Sequence, residues 1–265
     1  DGDSMHYYIF SEDSPDYWDP NTLDSCCTFY IGLAGPVASL ILPTPESYTS
    51  DEYQEIILTI FDDDGVEPGT IELEVDGRYY TITSPEVDWE DDTLIFTPSI
   101  PFNDGDTVFI DLVAAEDTLG NPLQNTISEY FIVDLSPPVV EEVTPEEEQV
   151  VGISSPEIEF TLGDQLSGID FSSLQIVVES DTISLGDYLS WEEDTAAAYS
   201  RGWLTFLTDS AGYSWEHNDT ASICVIAQDS PDYHTPNELY WCYEIYFDLM
   251  GPVVNLVTPP DSAIS

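Results

Sequence analysis

A five-residue phrase recurs three times in the chain and sets the size of the unit into which it can fold. The phrase reads LAGPV at 33–37, LSPPV at 135–139 and LMGPV at 249–253, each time after a run of strand-forming residues. Successive copies begin 102 and then 114 residues apart. A spacing near ~100 residues matches one β-sandwich domain, so the phrase predicts a tandem array with one copy at each domain boundary.

Further segments recur in the same order between the phrases. The segment at 87–97 (VDWEDDTLIFT) corresponds to 189–208, and the segment at 103–117 (NDGDTVFIDLVAAED) corresponds to 216–229. Because the corresponding segments share turn residues as well as strand residues, the repeat extends over whole domains.

The closest internal match joins the beginning of the chain to its end. Residues 13–37 align without gaps to residues 229–253, and more than half of the positions are identical. The shift of 216 residues equals two domains and predicts a two-domain super-repeat. The chain is therefore expected to be a window of a longer array. The predicted boundaries are 1–34 for the last two strands of a preceding domain, 35–136 and 137–250 for two complete domains, and 251–265 for the first strand of a following domain.

Short runs of β-branched and aromatic residues, separated by turn residues, predict seven strands in a complete domain. No segment has the period of an extended helix, and Asp76-Gly77 is typical of a hairpin turn. Trp89 and Trp191 occupy one repeat position, so we expect them to pack inside the domains rather than to stack on a sugar. The pattern predicts an all-β fold of tandem immunoglobulin-like Greek-key sandwiches. The strands are expected near 55–61, 70–76, 79–83, 93–97, 107–114 and 127–134, and near 138–145, 157–164, 173–180, 183–190, 202–208, 222–228 and 239–248.

Three local patterns resemble those of bacterial immunoglobulin-like or fibronectin type III-like modules. They are DLSPP at 134–138, SGID at 167–170 and AQDSPDY at 227–233. Such modules occur in large surface proteins and adhesins, and the resemblance covers essentially the whole chain. It implies the sandwich fold and is only weakly specific for function, because this fold carries many unrelated functions.

The charge of the chain restricts its partners. There are 54 acidic residues and two basic ones, Arg78 and Arg201, which give a formal net charge of −52. Nucleic acids and anionic membranes are bound through positive patches, so both are excluded as partners. No stretch approaches the ~20 apolar residues of a membrane span. Because so large a charge opposes compaction, we expect bound divalent cations to neutralise part of it, with a high-salt habitat as the alternative.

Carboxylates are predicted to converge at one end of the second complete domain. The strands of an immunoglobulin-type sandwich are lettered A to G in chain order. The loop between strands B and C and the loop between strands F and G lie at the same end, where the linker also arrives. Ca²⁺ takes six to eight oxygen ligands and suits such a set. The sequence therefore predicts an interdomain Ca²⁺ site, and turn formation by Asp is the alternative explanation. The predicted ligands are Asp134, Asp164, Asp170, Asp229 and Asp232.

The first complete domain differs in its linker, which has Gly32 where the next linker has Asp134. Its B–C turn reads FDDDG, so the carboxylates have moved rather than vanished. The downstream sequence does not continue as the calcium loop of an EF-hand. The predicted ligands in this domain are Asp62, Asp63, Asp64 and Asp117.

Two of the four cysteines are placed symmetrically about a loop. Cys224 and Cys242 lie at equal distances from Tyr233 in the predicted F–G hairpin, which brings them opposite each other and predicts a disulfide. A disulfide indicates an oxidising, extracellular setting. Zinc is a poor alternative, because His234 is the only other nearby ligand of the type that zinc prefers.

The other two cysteines have no such arrangement. Cys26 aligns with Cys242, but Tyr8 occupies the position of Cys224. Cys26 and Cys27 can pair with each other, with a missing part of their domain or with another chain, or they can stay free. The sequence does not choose among these.

No catalytic constellation is predicted. None of the histidines recurs in the aligned copies or lies in a nucleophile motif, and the fold offers no deep cleft for a carboxylate pair. The histidines are His6, His217 and His234.

These features predict a structural function. The chain is expected to be an extracellular array that forms the shaft of a surface fibre, filament or giant adhesin. Its expected partners are other immunoglobulin-like domains, of the same or identical chains, and divalent cations. The alternative is a carbohydrate-binding or adhesive module that contacts surface glycans through the F–G loop residues Tyr17, Trp18 and Tyr233. Asn218-Asp219-Thr220 has the form of a glycosylation sequon, although turn chemistry explains the same residues.

Overall fold

The computed structural model describes residues 3–255, and every regular element within them is a β-strand. The chain divides into two compact units at the boundary between Leu135 and Ser136. Among the described residues there is no helix with the length and hydropathy needed to cross a membrane. The predicted first strand of a following domain, 251–265, lies mostly outside the described residues, and residues 251–255 form no strand.

The first unit contains a hairpin followed by a sandwich of nine strands. The hairpin consists of β1 (Asp3–Glu12) and β2 (Thr22–Ile31). The sandwich strands are β3 (Val37–Leu42), β4 (Tyr48–Thr49), β5 (Ile56–Phe61), β6 (Val66–Val75), β7 (Arg78–Thr81), β8 (Val87–Glu90), β9 (Thr93–Phe96), β10 (Thr107–Asp117) and β11 (Ile127–Val133). They form two sheets with the orders β3-β5-β9-β8 and β4-β11-β10-β6-β7. In immunoglobulin letters these sheets read A-B-E-D and A′-G-F-C-C′, which is an immunoglobulin arrangement.

The second unit repeats this arrangement strand for strand. Its sheets have the orders β12-β14-β18-β17 and β13-β20-β19-β15-β16, built from the following strands. These are β12 (Val139–Thr144), β13 (Val150–Val151), β14 (Glu157–Asp164), β15 (Ile169–Val178), β16 (Asp181–Ser184), β17 (Leu189–Glu193), β18 (Ser200–Leu207), β19 (Thr220–Asp229) and β20 (Glu238–Phe247). The prediction of tandem immunoglobulin-like sandwiches is therefore confirmed.

The predicted strand pattern is wrong in three places, one of which is strand β8, absent from the prediction for the first sandwich. The single strand expected near 183–190 is two strands, because β16 pairs with β15 in one sheet and β17 pairs with β18 in the other. The short strands β4 and β13, which pair in parallel with the last strand of each sandwich, were not predicted. A strand of two residues is too short to show an alternation of apolar and polar side chains in the sequence. Only its pairing with a neighbouring strand reveals such a strand. Each sandwich thus has nine strands instead of seven.

The cores follow from the alternation of side chains along the strands. In β14 the alternate residues Ile158, Phe160 and Leu162 are fully buried. The Phe160 ring packs edge-to-face against the Tyr243 ring, with 5.7 Å between centroids. Trp89 and Trp191 are partly buried against the cores of their own units, where a packing residue belongs.

The hairpin β1–β2 has the same register as the β19–β20 hairpin. Tyr8 lies directly opposite Cys26, and Cys224 lies directly opposite Cys242, with both residues of each pair related by the 216-residue shift. One face of the hairpin carries apolar side chains at positions that are buried or partly buried in β19 and β20. These side chains are Met5, Tyr7, Ile9, Leu23 and Phe29, and all of them are exposed.

Candidate functional site: paired carboxylates between the B–C and F–G loops

Three carboxylates meet at one end of the first sandwich. Asp62 and Asp64 come from the turn between β5 and β6, and Asp117 is the last residue of β10. One oxygen of each carboxylate lies within 4.8 Å of one oxygen of the other two. Asp117 is buried, Asp62 is half-buried and Asp64 is exposed, so the cluster opens to solvent on one side. At this spacing the three charges repel, and a cation among them would relieve the repulsion.

The turn geometry places these side chains. The Asp62 carboxylate accepts a hydrogen bond from the Asp64 amide (2.8 Å), and Gly65 adopts a positive φ of 85° that closes the turn. Thr118 donates its hydroxyl proton to the Asp64 carbonyl oxygen (2.8 Å), which ties this turn to the end of β10. The B–C and F–G loops are therefore held together before any ion binds.

Asp117 is fixed by its own loop. Its carboxylate accepts hydrogen bonds from the Leu119 amide (2.9 Å), the Asn121 amide (2.7 Å) and the Asn121 side chain (2.6 Å). Burial raises the pKa of Asp117, but these hydrogen bonds outweigh burial and leave the pKa below its ordinary value. Asp117 therefore stays ionised at neutral pH, as a metal ligand must.

Glycine at position 32 leaves the space that Asp64 occupies. A Cβ atom on Gly32 would overlap the Oδ2 atom of Asp64. At the equivalent position the next linker has Asp134, so in the first sandwich the loop residue Asp64 brings its carboxylate to the side of the missing linker side chain. The first sandwich thus has a carboxylate from the B–C turn where the next linker has one of its own.

The second sandwich places two carboxylates at the same loop positions. Asp164 ends β14 and Asp229 ends β19, both are buried, and one oxygen of each lies within 4.8 Å of one oxygen of the other. Asp164 accepts hydrogen bonds from the amides of Leu166 (3.0 Å) and Gly168 (2.8 Å). Asp229 accepts hydrogen bonds from the Asn237 amide and side chain, both at 2.6 Å.

The remaining predicted ligands have different surroundings. Asp134 is buried at the end of the first unit, and its role as a third ligand for the second sandwich stays a prediction. Asp63, Asp170 and Asp232 lie outside the carboxylate groups of the described residues. Asp170 instead accepts hydrogen bonds from the amide (2.9 Å) and hydroxyl (2.7 Å) of Ser172. Sequence proximity to a loop does not fix the direction of a side chain, so the sequence alone does not separate these three positions from the clustered ones.

The sequence prediction missed an asparagine that supports the first carboxylate of each F–G loop. Asn121 and Asn237 hold Asp117 and Asp229, and Asn21 holds Asp13 in the hairpin through bonds of 2.6 and 2.7 Å. The bonds from the Asn21 side chain and backbone lower the pKa of Asp13. The signal was present, because every copy has Asn shortly after this Asp and before the next strand. The three pairs are Asp13–Asn21, Asp117–Asn121 and Asp229–Asn237.

The linker that enters the first sandwich is fastened to its F–G loop. Asn121 donates a hydrogen bond to the Gly32 carbonyl oxygen (3.2 Å), and Gln124 donates bonds to the carbonyl oxygens of Gly35 and Pro36. A Cβ atom on Gly35 would overlap the Pro122 carbonyl oxygen, so this close approach requires glycine. The linker is thus ordered by direct hydrogen bonds in addition to any cation.

The cysteines fall into two classes. Cys224 and Cys242 form a disulfide between directly opposed residues of β19 and β20. Cys26 and Cys27 are free and exposed. Neighbouring residues of a strand point to opposite faces, and Tyr7 pairs with Cys27 whereas Tyr8 pairs with Cys26. Because Cys27 is directly opposite Tyr7, it lies on the apolar face of the hairpin, where a hydrogen bond to Cys27 raises the pKa of Tyr7.

We predict that the Tyr8→Cys variant forms a disulfide with Cys26 and not with Cys27. Tyr8 and Cys26 are directly opposed on one face, as Cys224 and Cys242 are, whereas Cys27 lies on the other face. Peptide mapping of the non-reduced protein by mass spectrometry tests this. The matched control is Phe10→Cys, which lies on the same face but opposite Asp24. A link to Cys27, or no link, would contradict the equivalence of the two hairpins.

The aromatic residues of the F–G loops differ in exposure. Tyr17 is 82% exposed and Trp18 is 94% exposed, whereas Tyr233 is half-buried. Trp18 has a φ of 88°, and the equivalent His234 has a φ of 71°, so the two loops share an unusual backbone conformation. Asn218 also has a positive φ, of 70°, and lies exposed in the turn before β19.

No protein-family model matches the chain, and no curated protein matches it. Solved structures of immunoglobulin-like and fibronectin-like domains are similar to it. Fibronectin(III)-like modules of CbhA from Clostridium thermocellum share 15% identity over 83% of this chain and 100% of that chain, with a TM-score of 0.31. The complex of Dpr2 Ig1-Ig2 with DIP-Theta Ig1-Ig3 shares 10% identity over 84% of this chain and 69% of that chain, with a TM-score of 0.33. Extracellular cadherin domains 1–4 of Protocadherin Gamma B7 share 11% identity over 92% of this chain and 57% of that chain, with a TM-score of 0.27.

Proposed function

We propose that this chain is part of an extracellular tandem array that forms the shaft of a surface fibre, filament or giant adhesin. The observation that carries the proposal is the recurrence of one carboxylate pair in both sandwiches. Asp62 follows β5 directly and Asp164 ends the equivalent strand β14, while Asp117 and Asp229 end the equivalent strands β10 and β19. A site repeated in both described sandwiches suits a property of the whole array better than a single binding event.

Ca²⁺ is the cation that these sites suit best. The donors are carboxylate oxygens, with backbone carbonyl groups close by, and hard divalent cations prefer oxygen. In the first sandwich, Asp62, Asp64 and Asp117 would hold the ion. In the second, Asp164 and Asp229 would hold it together with Asp134 from the linker. A ligand contributed by the linker would couple ion binding to the order of the junction.

The disulfide and the composition support an extracellular position. Disulfides persist in oxidising compartments and are rare in the cytosol. The chain has no lysine and only two arginines, so proteases that cleave after basic residues find few sites. A non-enzymatic role fits a fold whose candidate sites are loop clusters rather than deep clefts.

The axial repeat of the native assembly tests this function. A domain of this type is ~40 Å long, since strands of 8–10 residues rise ~3.3 Å per residue and the loops add the rest. The 216-residue match predicts a repeat of two domains, so the axial period should be roughly 70–90 Å. Power spectra from electron micrographs measure it. Compact particles without rods, or a one-domain period with no signal at twice that spacing, would overturn the proposal.

A further inference from the structure

Arg78 is the one basic side chain of the chain that the acidic residues leave unpaired within residues 3–255. The other arginine, Arg201, forms ion pairs of 2.7 Å with both Glu141 and Asp194. Arg78 pairs with Val75 through the β6–β7 ladder, but its exposed side chain takes part in no ion pair or hydrogen bond among the described residues. In a chain with 54 acidic residues, an unpaired guanidinium calls for a local cause.

Arg78 lines a crevice of about 190 Å³ in the first sandwich. The crevice lies between the β6–β7 turn and residues 98–106, which connect β9 to β10. Its apolar part includes Tyr80, Phe96 and Phe102. The Tyr80 ring packs edge-to-face against the Phe96 ring, with 4.7 Å between the ring centroids. This region belongs to different loops from the carboxylate cluster of Asp62, Asp64 and Asp117.

The acidic residues of the crevice are held by other donors. The Asp106 carboxylate accepts hydrogen bonds from the Asn103 amide (2.7 Å) and side chain (3.0 Å). The Glu86 carboxylate accepts one from the Ser99 hydroxyl (2.6 Å). These bonds hold Asp106 and Glu86 in place at the crevice wall while Arg78 keeps its five N–H donors available.

We propose that this crevice binds one uronic-acid residue of a glycan. The guanidinium of Arg78 would pair with the sugar carboxylate through two parallel hydrogen bonds. The remaining acceptors of Glu86 and Asp106 would take hydroxyl protons, and the aromatic floor would contact the apolar face of the ring. An acidic peptide side chain matches the crevice less well, because it brings a carboxylate but no donors for the acidic wall. The volume suits one ring, since drug-sized pockets measure about 300–1,000 Å³.

The net charge of the chain favours an isolated uronate over a polyuronate. A net charge of −52 repels a polyanion over the Debye length, which is ≈ 8 Å at 0.15 M ionic strength. A single carboxylate in contact with Arg78 is closer than that distance. The site therefore suits a short glycan with one or two uronates rather than a long polyuronate, and the proposal does not depend on the proposed shaft function.

The two arginines provide a direct readout. The full chain has only two arginine side chains, so its ¹⁵N spectrum in the Nε–H region has two signals, which Arg78→Lys assigns. Titration with digalacturonate at 0.15 M salt should shift the Arg78 signal and leave the Arg201 signal in place. The neutral probe is galactobiose, which should leave both signals unchanged.

Variants separate binding from folding. Arg78→Gln should weaken digalacturonate binding by about tenfold or more, since it removes the charged partner of a charge-assisted pair. Arg78→Lys should bind with intermediate affinity, because it keeps the charge but loses the fork. Tyr80→Ala should weaken binding, whereas Tyr79→Ala, which alters the neighbouring side chain on the opposite strand face, should not. An unmoved Arg78 signal, an equal response to galactobiose, or unchanged binding in Arg78→Gln would overturn the proposal.

Discussion

Ca²⁺ should protect the first sandwich against unfolding, and Asp64→Asn should remove that protection. An ion that binds only the folded state stabilises it by about 2.7 kcal/mol at a free concentration one hundred times Kd. For a domain of about 100 residues this corresponds to a rise in Tm of roughly 10–20 °C. Asp64 is the suitable position, because its side chain is exposed and its carboxylate lies within 4.8 Å of those of Asp62 and Asp117.

The effect of Asp64→Asn on the stability of the first sandwich should differ without and with Ca²⁺, which makes the test specific for a cation site. Removing one of three mutually repelling carboxylates should leave the metal-free first sandwich as stable as the natural one or more stable. The same variant should lose the gain that Ca²⁺ gives. Asp63→Asn is the matched control, since it removes the same charge from the same turn but outside the cluster.

Hydrogen exchange resolves the two sandwiches in one experiment. Peptides from β5 and β10 report on the first sandwich, and peptides from β14 and β19 report on the second, in EDTA and in millimolar Ca²⁺ at fixed ionic strength. Protection in Ca²⁺ should fall for β5 and β10 in Asp64→Asn and persist for β14 and β19. Equal protection of β5 in the natural chain with and without Ca²⁺ would rule out the cation site.

The sequence predicts those parts of the site that depend on repeat position. Asp62 and Asp164 lie at the end of one strand or directly after it, and Asp117 and Asp229 end another. The topology of the sandwich brings those two strand ends together. The exchange of a linker carboxylate for Asp64 also follows from the alignment, because Gly32 and FDDDG compensate each other.

Side-chain direction sets the limit of that prediction. Asp170 lies next to the cluster in sequence, yet its carboxylate binds Ser172, and no periodicity distinguishes it from Asp164. The crevice beside Arg78 depends on how residues 98–106 pack over Phe96, and the other sandwich has a different sequence in this connection. Features built by packing between distant segments are absent from any local pattern.

Loss of the Cys224–Cys242 disulfide should destabilise the second sandwich by about 3 kcal/mol. The cross-link joins residues 18 positions apart, and closing a loop of this length removes about that much chain entropy, in free-energy terms, from the unfolded state. The folded hairpin should change little when the bond is cut, because both residues also lie within a continuous antiparallel ladder from Thr220 to Gln228. The effect should therefore appear in unfolding and not in the folded structure.

The double variant Cys224→Ser/Cys242→Ser tests this, with urea unfolding followed by hydrogen exchange in β19 and β20. Cys26→Ser/Cys27→Ser is the matched control, since it removes the same number of thiols from the free pair and should leave the second sandwich unchanged. The first sandwich has Asp111 opposite Ser128 at the equivalent ladder position, so it forms this sheet without a cross-link. Equal stability of the double variant and the natural chain would mean that the unfolded β19–β20 segment already keeps its ends together, and that the disulfide adds nothing to the durability of a shaft.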